Sequence, residues 1–186
     1  VTGVQTCALP IYMESIMGGY EDPRLAKYFN KSEDFPTEYR GVRTAINMVA
    51  KSDRTGMSTL GEIVSKNEKV LMTTAEVYFL RAEGALRGWN MGGTAQTLYE
   101  AGITASFAQH GFSGAATYYA DNAKTAKNFI DVKDAANNGT AVNNVTIAWD
   151  GAATNEVKLQ KIITQKWIAN FPEGQEAWSE YRRTGY

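Results

Sequence analysis

The residue types that most often carry catalysis or bind metals are scarce in this chain. Its 186 residues include one histidine, His110, and one cysteine, Cys7. A serine or cysteine nucleophile needs a neighbouring base, and a zinc site needs three or four His, Cys or carboxylate ligands. The sequence therefore predicts no catalytic residue, no metal site and no cofactor, and we expect His110 to be an exposed residue at a helix end.

Paired carboxylates are the remaining catalytic option. Glu76 and Glu83 are seven residues apart on a predicted helix, which places them on one face at about 10 Å. Two acids roughly 5–10 Å apart can hydrolyse a glycosidic bond. However, Glu83 and Arg87 also have the (i, i+4) spacing of an ion pair. We interpret the pair as part of a solvated or salt-bridged face and predict that the chain is not an enzyme.

Aromatic residues are numerous, with four Trp, ten Tyr and seven Phe. Flat rings can pack against the apolar faces of sugar rings. Trp149 stands in a polar stretch beside Asp150, and Tyr118 and Tyr119 follow a glycine, so these three are the candidate ligand-binding residues. The alternative is that they pack over the helices. The other tryptophans lie on apolar faces of predicted helices and are expected in the core: Trp89, Trp167 and Trp178.

Charge and hydropathy exclude two classes of partner. The formal net charge of −1, from 19 basic and 20 acidic residues, gives no field with which to bind a phosphate backbone, so nucleic acid is not a predicted partner. No apolar run reaches the roughly 18–20 residues of a membrane-spanning helix. Cys7 has no second cysteine with which to form an intramolecular disulfide.

Two central helices carry the clearest periodicity. Apolar residues recur at spacings of three and four over about 70–88, and Thr94 is a candidate N-cap for the helix that follows. Small residues at Ala82 and Gly102 would let the two helices approach closely, as in a tetratricopeptide unit. The predicted buried faces are Ala75, Phe79, Ala82, Leu86 and Trp89 in the first helix and Ala95, Leu98, Tyr99, Gly102, Ile103 and Phe107 in the second.

The C-terminal third predicts two more helices. One runs from a cap at Asn155 to about Asn170, and another occupies about 174–182. A weak helix is expected over Tyr118–Ile130, and 134–151 is expected to be loop. With no alternating strand, the fold class is all-α, mainly helical with long irregular loops. The predicted stripe of the first C-terminal helix is Leu159, Ile163, Trp167 and Phe171.

Several blocks of sequence resemble one family. The ending QKWIANF followed by EAWSEYRRTGY is similar to the closing signature of the SusD/RagB family. Upstream, DPRL with YF at 22–29 and LMTTAEV with LRAE at 71–83 resemble further family blocks in the right order. The stretch between about 113 and 153 matches no pattern of the family. We therefore expect a fragment of a SusD-like α-solenoid, a tetratricopeptide-like helix pair packed on C-terminal helices.

The resemblance also shapes the domain organisation. Residues 1–11, VTGVQTCALPI, are similar to translated sequencing adapter, and we predict that they form a non-native leader. Residues 12–186 are expected to be the C-terminal part of a single SusD-like domain. We also expect this fragment to expose apolar surface that the rest of the protein covers.

The family implies a function. A SusD/RagB protein is a cell-surface lipoprotein of the outer membrane that binds oligosaccharide without turnover and delivers it to a TonB-dependent SusC-like transporter. Membrane attachment is then expected only through an N-terminal lipid anchor outside this sequence. Ligand contacts in the family come mostly from variable loops, so none is carried over by position. The alternative is a helical-repeat scaffold for protein–protein interaction that binds no glycan.

Overall fold

The computed structural model describes residues 8–46, 50–64 and 70–186; Cys7 and the start of the predicted leader lie outside this range. Within it the chain forms seven α-helices and three 3-10 helices, and extended segments meet only at isolated bridges, without a strand. This confirms the mainly helical fold with long loops. The α-helices are α1 (Ile11–Gly19), α2 (Leu25–Tyr28), α3 (Thr74–Leu86), α4 (Ala95–Gln109), α5 (Ala115–Tyr119), α6 (Asn155–Ala169) and α7 (Gly174–Thr184). The 3-10 helices are Lys51–Arg54, Glu62–Val64 and Ala135–Asn137.

The chain divides into two compact units, and each is built from two stretches of sequence. The first unit comprises the described residues of 1–67 and 125–144, and the second comprises those of 68–124 and 145–186. The first unit contains α1 and α2, and the second contains α3 to α7. That 12–186 form part of a single larger domain stays a prediction.

The first unit is held together largely by loops that exchange hydrogen bonds. Leu9, within the predicted leader, is fully buried; its N–H donates to the Ser58 carbonyl at 2.9 Å and its carbonyl accepts from the Val42 N–H at 2.8 Å. The guanidinium of Arg54 donates to the Asp131 carboxylate at 2.5 Å, and both side chains are buried. Residues 8–11 thus pack in this unit, and their being foreign to the protein stays a prediction.

Helices α3 and α4 begin at threonine caps. The Thr73 hydroxyl accepts from the Glu76 N–H at 3.0 Å, and the Thr94 hydroxyl accepts from the Thr97 N–H at 3.1 Å. Such a bond satisfies one of the N–H groups that a helix start leaves unpaired. The cap at Thr94 confirms the sequence prediction, whereas α3 begins at residue 74 and not near 70. The apolar residues buried on the two helices are Ala75, Phe79, Ala82, Leu98, Tyr99, Ile103 and Phe107.

The contact between α3 and α4 depends on a glycine. A Cβ built at Gly102 would lie 2.7 Å from a ring carbon of Phe79, which is fully buried. The missing side chain therefore leaves room for the ring between the two helices. Both helices also contact α6, which confirms the tetratricopeptide-like pair packed on a C-terminal helix.

The second half of helix α6, residues 161–169, is buried except at Trp167, whereas residues 155–160 are exposed or half-buried. Of the predicted stripe, Ile163 is buried, while Leu159, Trp167 and Phe171 are only half-buried. Polar residues of α6 are buried as well: Lys161, Gln165 and Lys166 bond to neighbouring elements, and the Thr164 hydroxyl donates to the Gln160 carbonyl of the same helix. Thr154, one residue before the predicted Asn155, caps the helix by accepting from the Val157 N–H at 3.3 Å.

Two tryptophans predicted in the core are exposed instead. Trp89 is 62% exposed and Trp178 is 56% exposed. Trp89 follows Gly88, whose φ of 86° takes the chain out of the helix, so the helical spacing that predicted its burial no longer applies. In α7 the buried position belongs to Glu180, and Trp178 stacks on Tyr181 with ring centroids 5.9 Å apart.

The helix predicted over Tyr118–Ile130 is also wrong. Only Ala115–Tyr119 is helical, and no helix covers 120–130. The Asp121 carboxylate accepts from the N–H groups of Ala123 and Lys124 at 2.9 and 2.8 Å. An aspartate that binds the backbone two and three residues ahead stabilises a turn, and this competes with continuing the helix.

A buried ion network joins three helices of the second unit. Lys166 of α6, whose side chain is 2% exposed, lies 2.8 Å from Glu176, 3.0 Å from Glu180 and 3.6 Å from Glu76. Burial favours the neutral amine, but hydrogen bonds from Lys166 to Glu176 and Glu180 outweigh this effect and raise its pKa. The ammonium thus stays charged between α3 and α7.

The network continues through Arg183 of α7. Its guanidinium binds both carboxylate oxygens of Glu83 at 2.6 and 2.7 Å and reaches Glu180 at 2.6 Å. Glu83 also receives the predicted ion pair from Arg87, at 2.6 Å. Each member therefore has an opposite charge in contact, which is the condition under which buried charges are tolerated.

Replacement of Gly102 by alanine should destabilise the protein. The new methyl group would overlap the Phe79 ring, and overpacking a tight core typically costs about 1–3 kcal/mol. We expect this loss in the free energy of unfolding by urea. Gly174→Ala, also helical but with nothing within 4 Å of the new Cβ, is the matched control and should lose no stability. Equal stability of the two variants would contradict the close approach of α3 and α4.

Replacement of Lys166 by methionine should destabilise the second unit more severely. Methionine preserves the volume but leaves the carboxylates around it without their cation, a change that typically costs about 3–5 kcal/mol for a buried pair. The matched control is Lys124→Met, which removes a cation from the more exposed pair with Asp121 and should cost at most about 1 kcal/mol. Similar urea midpoints for the two variants would show that the network does not stabilise the helices.

Candidate functional site

Trp149 lies on a loop that is tied to two helices. Its ring packs against Tyr99 of α4, with centroids 5.3 Å apart, and the tryptophan remains half-buried. The Tyr99 hydroxyl donates to the Ile147 carbonyl at 2.7 Å, and the Ala148 N–H donates to the Asp121 carbonyl at 2.8 Å. The indole thus packs on the Tyr99 ring at a tilt of 46°, and the loop that carries it is anchored at Ile147 and Ala148.

Lys161 of α6 fixes the same loop from the other side. Its ammonium donates to the carbonyls of Thr146 and Ala148 at 2.5 and 2.8 Å, and to the Thr146 hydroxyl at 2.8 Å. Burial lowers the pKa of Lys161, but three acceptors surround the amine. The loop before Trp149 is therefore held in place by side chains and does not rely on a helix or strand of its own.

Tyr118 and Tyr119 have different surroundings although they are adjacent in α5. Tyr118 is 9% exposed, its ring lies 5.0 Å from that of Phe107, and its hydroxyl accepts from the Gln165 amide at 3.1 Å. Tyr119 is half-buried. Tyr99 and Phe107, on which Trp149 and Tyr118 pack, are eight residues apart on α4, or about 12 Å along its axis. The predicted contacts are thus spread along α4 and do not form one cluster.

The carboxylate pair is part of the ion network. Glu76 and Glu83 are both buried, and Glu83 contacts Arg87 and Arg183. Burial would raise the pKa of Glu83, but its hydrogen bonds with the two arginines lower it below the ordinary value of 4.5. A glycosidase acid needs a raised pKa, so this carboxylate is tuned in the opposite direction.

A cleft of about 550 Å³ opens in the first unit, between α1, α2 and the loops around 38–40 and 127. Ligand sites typically measure about 300–1,000 Å³. Its lining combines charged groups with apolar surface and one aromatic ring. The lining residues are Glu14, Met17, Gly18, Glu21, Asp22, Pro23, Leu25, Ala26, Glu38, Tyr39, Arg40 and Lys127.

Glu14 places a buried carboxylate in this cleft. Its side chain is 2% exposed, and its Oε2 accepts from the Gly41 N–H at 2.6 Å. A Cβ at Gly41 would approach Oε2 to 3.2 Å and the Leu9 carbonyl oxygen to 2.8 Å, so the glycine makes room for this bond. Burial raises the pKa of Glu14, against the opposing effects of the Gly41 N–H, Lys127 and Arg40.

Two cations face the other carboxylate oxygen at a distance. Arg40 Nη1 lies 3.6 Å and Lys127 Nζ lies 4.0 Å from Glu14 Oε1. Arg40 is paired with Glu38 through Nη2, while its buried Nε has no hydrogen-bond partner. The Lys127 side chain runs over Gly18, where a Cβ would lie 2.8 Å from its Cε.

The sequence did not predict this cleft. Glu14 and Lys127 are 113 residues apart, and neither belongs to a motif or a periodic face. The residues between 12 and 40 have mixed composition and indicate only turns and short helices. Gly18 and Gly41, which make room for Lys127 and Glu14, are ordinary glycines in the sequence. No feature of the sequence would therefore have identified the cleft.

The described residues hold neither a cluster of candidate metal ligands nor a helix able to span a membrane. Across 8–46, 50–64 and 70–186, no group of three or more His, Cys, Asp or Glu side chains is placed to hold a metal ion. In this described part of the chain, no helix combines the length and apolar character needed to cross a bilayer.

Comparison with known proteins identifies the family. The model for SusD-like proteins, described as SusD and RagB outer membrane lipoproteins, matches residues 4–186. The match includes residues 113–153, which show none of the family's sequence blocks, and residues 4–11 of the predicted leader. No curated protein matches the sequence.

Solved structures of SusD homologues support the same family. A chitin-binding SusD homologue from Flavobacterium johnsoniae is 66% identical, with a TM-score of 0.95 over 96% of this chain and 37% of that one. A SusD-like protein from Bacteroides thetaiotaomicron is 39% identical, with a TM-score of 0.88 over 95% of this chain and 38% of that one. A Bacteroides vulgatus homologue is 36% identical, with a TM-score of 0.87, 95% of this chain and 37% of that one being covered. The chain thus spans little more than a third of the length of these relatives, and it belongs to the SusD-like family of outer membrane lipoproteins.

Proposed function

We propose that the full-length protein is a non-enzymatic receptor that binds oligosaccharide at the cell surface and delivers it to a TonB-dependent SusC-like transporter. The observation that carries this proposal is the 66% identity, over 96% of the chain, with a chitin-binding SusD homologue. The substrate class we propose is accordingly an oligomer of β-1,4-linked N-acetylglucosamine, the repeating unit of chitin.

The state of the carboxylates supports binding without turnover. A general acid must hold its proton near the working pH. Glu83 is instead kept ionised by Arg183 and Arg87, and Glu76 lies 3.6 Å from the Lys166 ammonium. Neither carboxylate of this pair has the environment of a glycosidase acid.

Trp149 and Tyr119 are the aromatic contacts that we propose for the glycan in the second unit. Each is half-buried, so part of each side chain is accessible. Trp149 in addition rests on Tyr99, which would hold the indole rigid while a sugar ring stacks on it. Tyr118 remains a predicted contact, and its hydrogen bond from Gln165 suits it to supporting its neighbour.

Glycan binding is tested by calorimetry on the full-length protein with the N-acetylglucosamine hexamer. We expect saturable binding and no new reducing ends on prolonged incubation. Trp149→Ala should weaken binding about tenfold through lost stacking, whereas Trp178→Ala, which removes a more exposed indole on α7, should leave it unchanged. Absence of binding would favour the scaffold alternative, and release of reducing ends would refute a passive receptor.

The transporter partnership is tested by purification from native outer membranes. An affinity tag on the full-length protein should enrich a TonB-dependent transporter, identified by mass spectrometry, in roughly equal molar amount. The same tag on an unrelated surface lipoprotein of that organism is the control. Recovery of the receptor without a transporter, under detergent conditions that keep other outer-membrane complexes intact, would contradict this part of the proposal.

A further inference from the structure

We infer that the cleft of the first unit is a subsite for the acetamido group of an N-acetylated sugar, with Glu14 accepting from its N–H and Lys127 donating to its carbonyl oxygen. This inference rests on the proposed function and deepens it, because it names the part of the substrate that the site recognises. It concerns residues other than Trp149 and Tyr119.

Glu14 supplies an acceptor that the protein itself leaves open. Its Oε2 is used by the Gly41 N–H, but none of the described residues donates a hydrogen bond to Oε1 within 3.5 Å. An ionised carboxylate oxygen can accept more than one hydrogen bond, so a ligand N–H that reaches Oε1 would find a free acceptor there.

Arg40 and Lys127 supply donors beside that acceptor. Arg40 Nη1 lies 3.6 Å and Lys127 Nζ lies 4.0 Å from Glu14 Oε1, so both cations are near this oxygen but beyond hydrogen-bond distance. The nitrogen and oxygen of an amide are roughly 2.3 Å apart, as its bond lengths require. Because the N–H and C=O of a secondary amide point in opposite directions, an amide whose N–H faces Oε1 turns its carbonyl away from Glu14, where the long and partly exposed side chain of Lys127 can reach it.

The apolar part of the lining suits the rest of the group. Pro23 and Ala26 border the same cleft, are at least partly exposed, and offer a surface for the acetamido methyl. The ring of Tyr39, half-buried in the lining, can pack against a pyranose face. A sugar hydroxyl in place of the acetamido group would leave this apolar surface uncovered and make fewer hydrogen bonds.

The charges of the cleft argue against other ligands. An anion would meet Arg40 and Lys127 but also four carboxylates in the lining, and a free amine would face both cations. A neutral group that both donates and accepts hydrogen bonds can bond to the carboxylates and to the cations without being repelled by either. The amide of an N-acetylated sugar has this property, and the C2 amine of a deacetylated sugar does not.

The test compares two hexamers by calorimetry on the full-length protein. One is the N-acetylglucosamine hexamer, and the other is the β-1,4-linked glucose hexamer, which carries a hydroxyl where the first carries the acetamido group. We expect the wild type to bind the N-acetylated hexamer at least about tenfold more tightly. Lys127→Met and Tyr39→Ala should each weaken its binding about tenfold, and Lys127→Met should also narrow the difference between the hexamers.

Lys133→Met is the matched control. Lys133 belongs to the same unit, is 39% exposed against 47% for Lys127, and pairs with Asp34 outside the cleft lining. This variant should bind like the wild type. Glu14→Gln is a further variant, and melting curves would show whether it folds. If Glu14→Gln does not fold, the test rests on Lys127→Met, because Lys127 is partly exposed and its replacement should leave the fold intact.

The outcomes separate the two proposals. If the wild type binds neither hexamer, the receptor function and the subsite both fail. If it binds the N-acetylated hexamer but Lys127→Met and Tyr39→Ala bind it equally well, the receptor function stands and the cleft is not the subsite. Equal affinity of the wild type for both hexamers would overturn acetamido recognition alone.

Discussion

The buried ammonium of Lys166 is the constraint on which the helical unit depends. Helix α7 turns a glutamate, Glu180, toward the protein and leaves Trp178 and Tyr181 largely outside. It is therefore attached by ion pairs more than by apolar burial. Charges in such a position are stable only when every one has its partner. The spacing of Glu176, Glu180 and Arg183 at successive turns provides these partners, so the register of α7 is set by charge.

Local features of the fold could be predicted from the sequence. The cap at Thr94 and the ion pair of Glu83 with Arg87 depend on residues close in the chain, and the close approach of two consecutive helices was predicted from the small residue Gly102; all three are observed. The failures have local causes too. The burial of Trp89 was inferred by extending a helical period past a glycine that ends the helix, and the helix after Tyr118 was inferred without the turn that Asp121 stabilises.

The candidate sites could be predicted from the sequence only in part. An indole in a polar loop is unusual, so the sequence alone indicates Trp149 as a candidate. The contacts of Lys161 and Tyr99 that fix its loop are visible only in the structure. The cleft around Glu14 depends on Lys127, more than a hundred residues away, and no local pattern marks either one. The resemblance to the family came from short sequence blocks in the right order. These blocks lie in helices and in the turn before α2, whereas Lys127 lies in a loop outside them.

The pairing of Arg54 with Asp131 has a consequence for how the molecule is made. The two residues are 77 positions apart, and the second unit's α3 and α4 are encoded between them. At about 5–20 residues per second, a ribosome needs roughly 4–15 seconds to supply the carboxylate after the guanidinium has been added. During that interval the arginine is solvated or held by a temporary neighbour, and the N-terminal stretch waits for its counterion while the helices that follow it are already being synthesised.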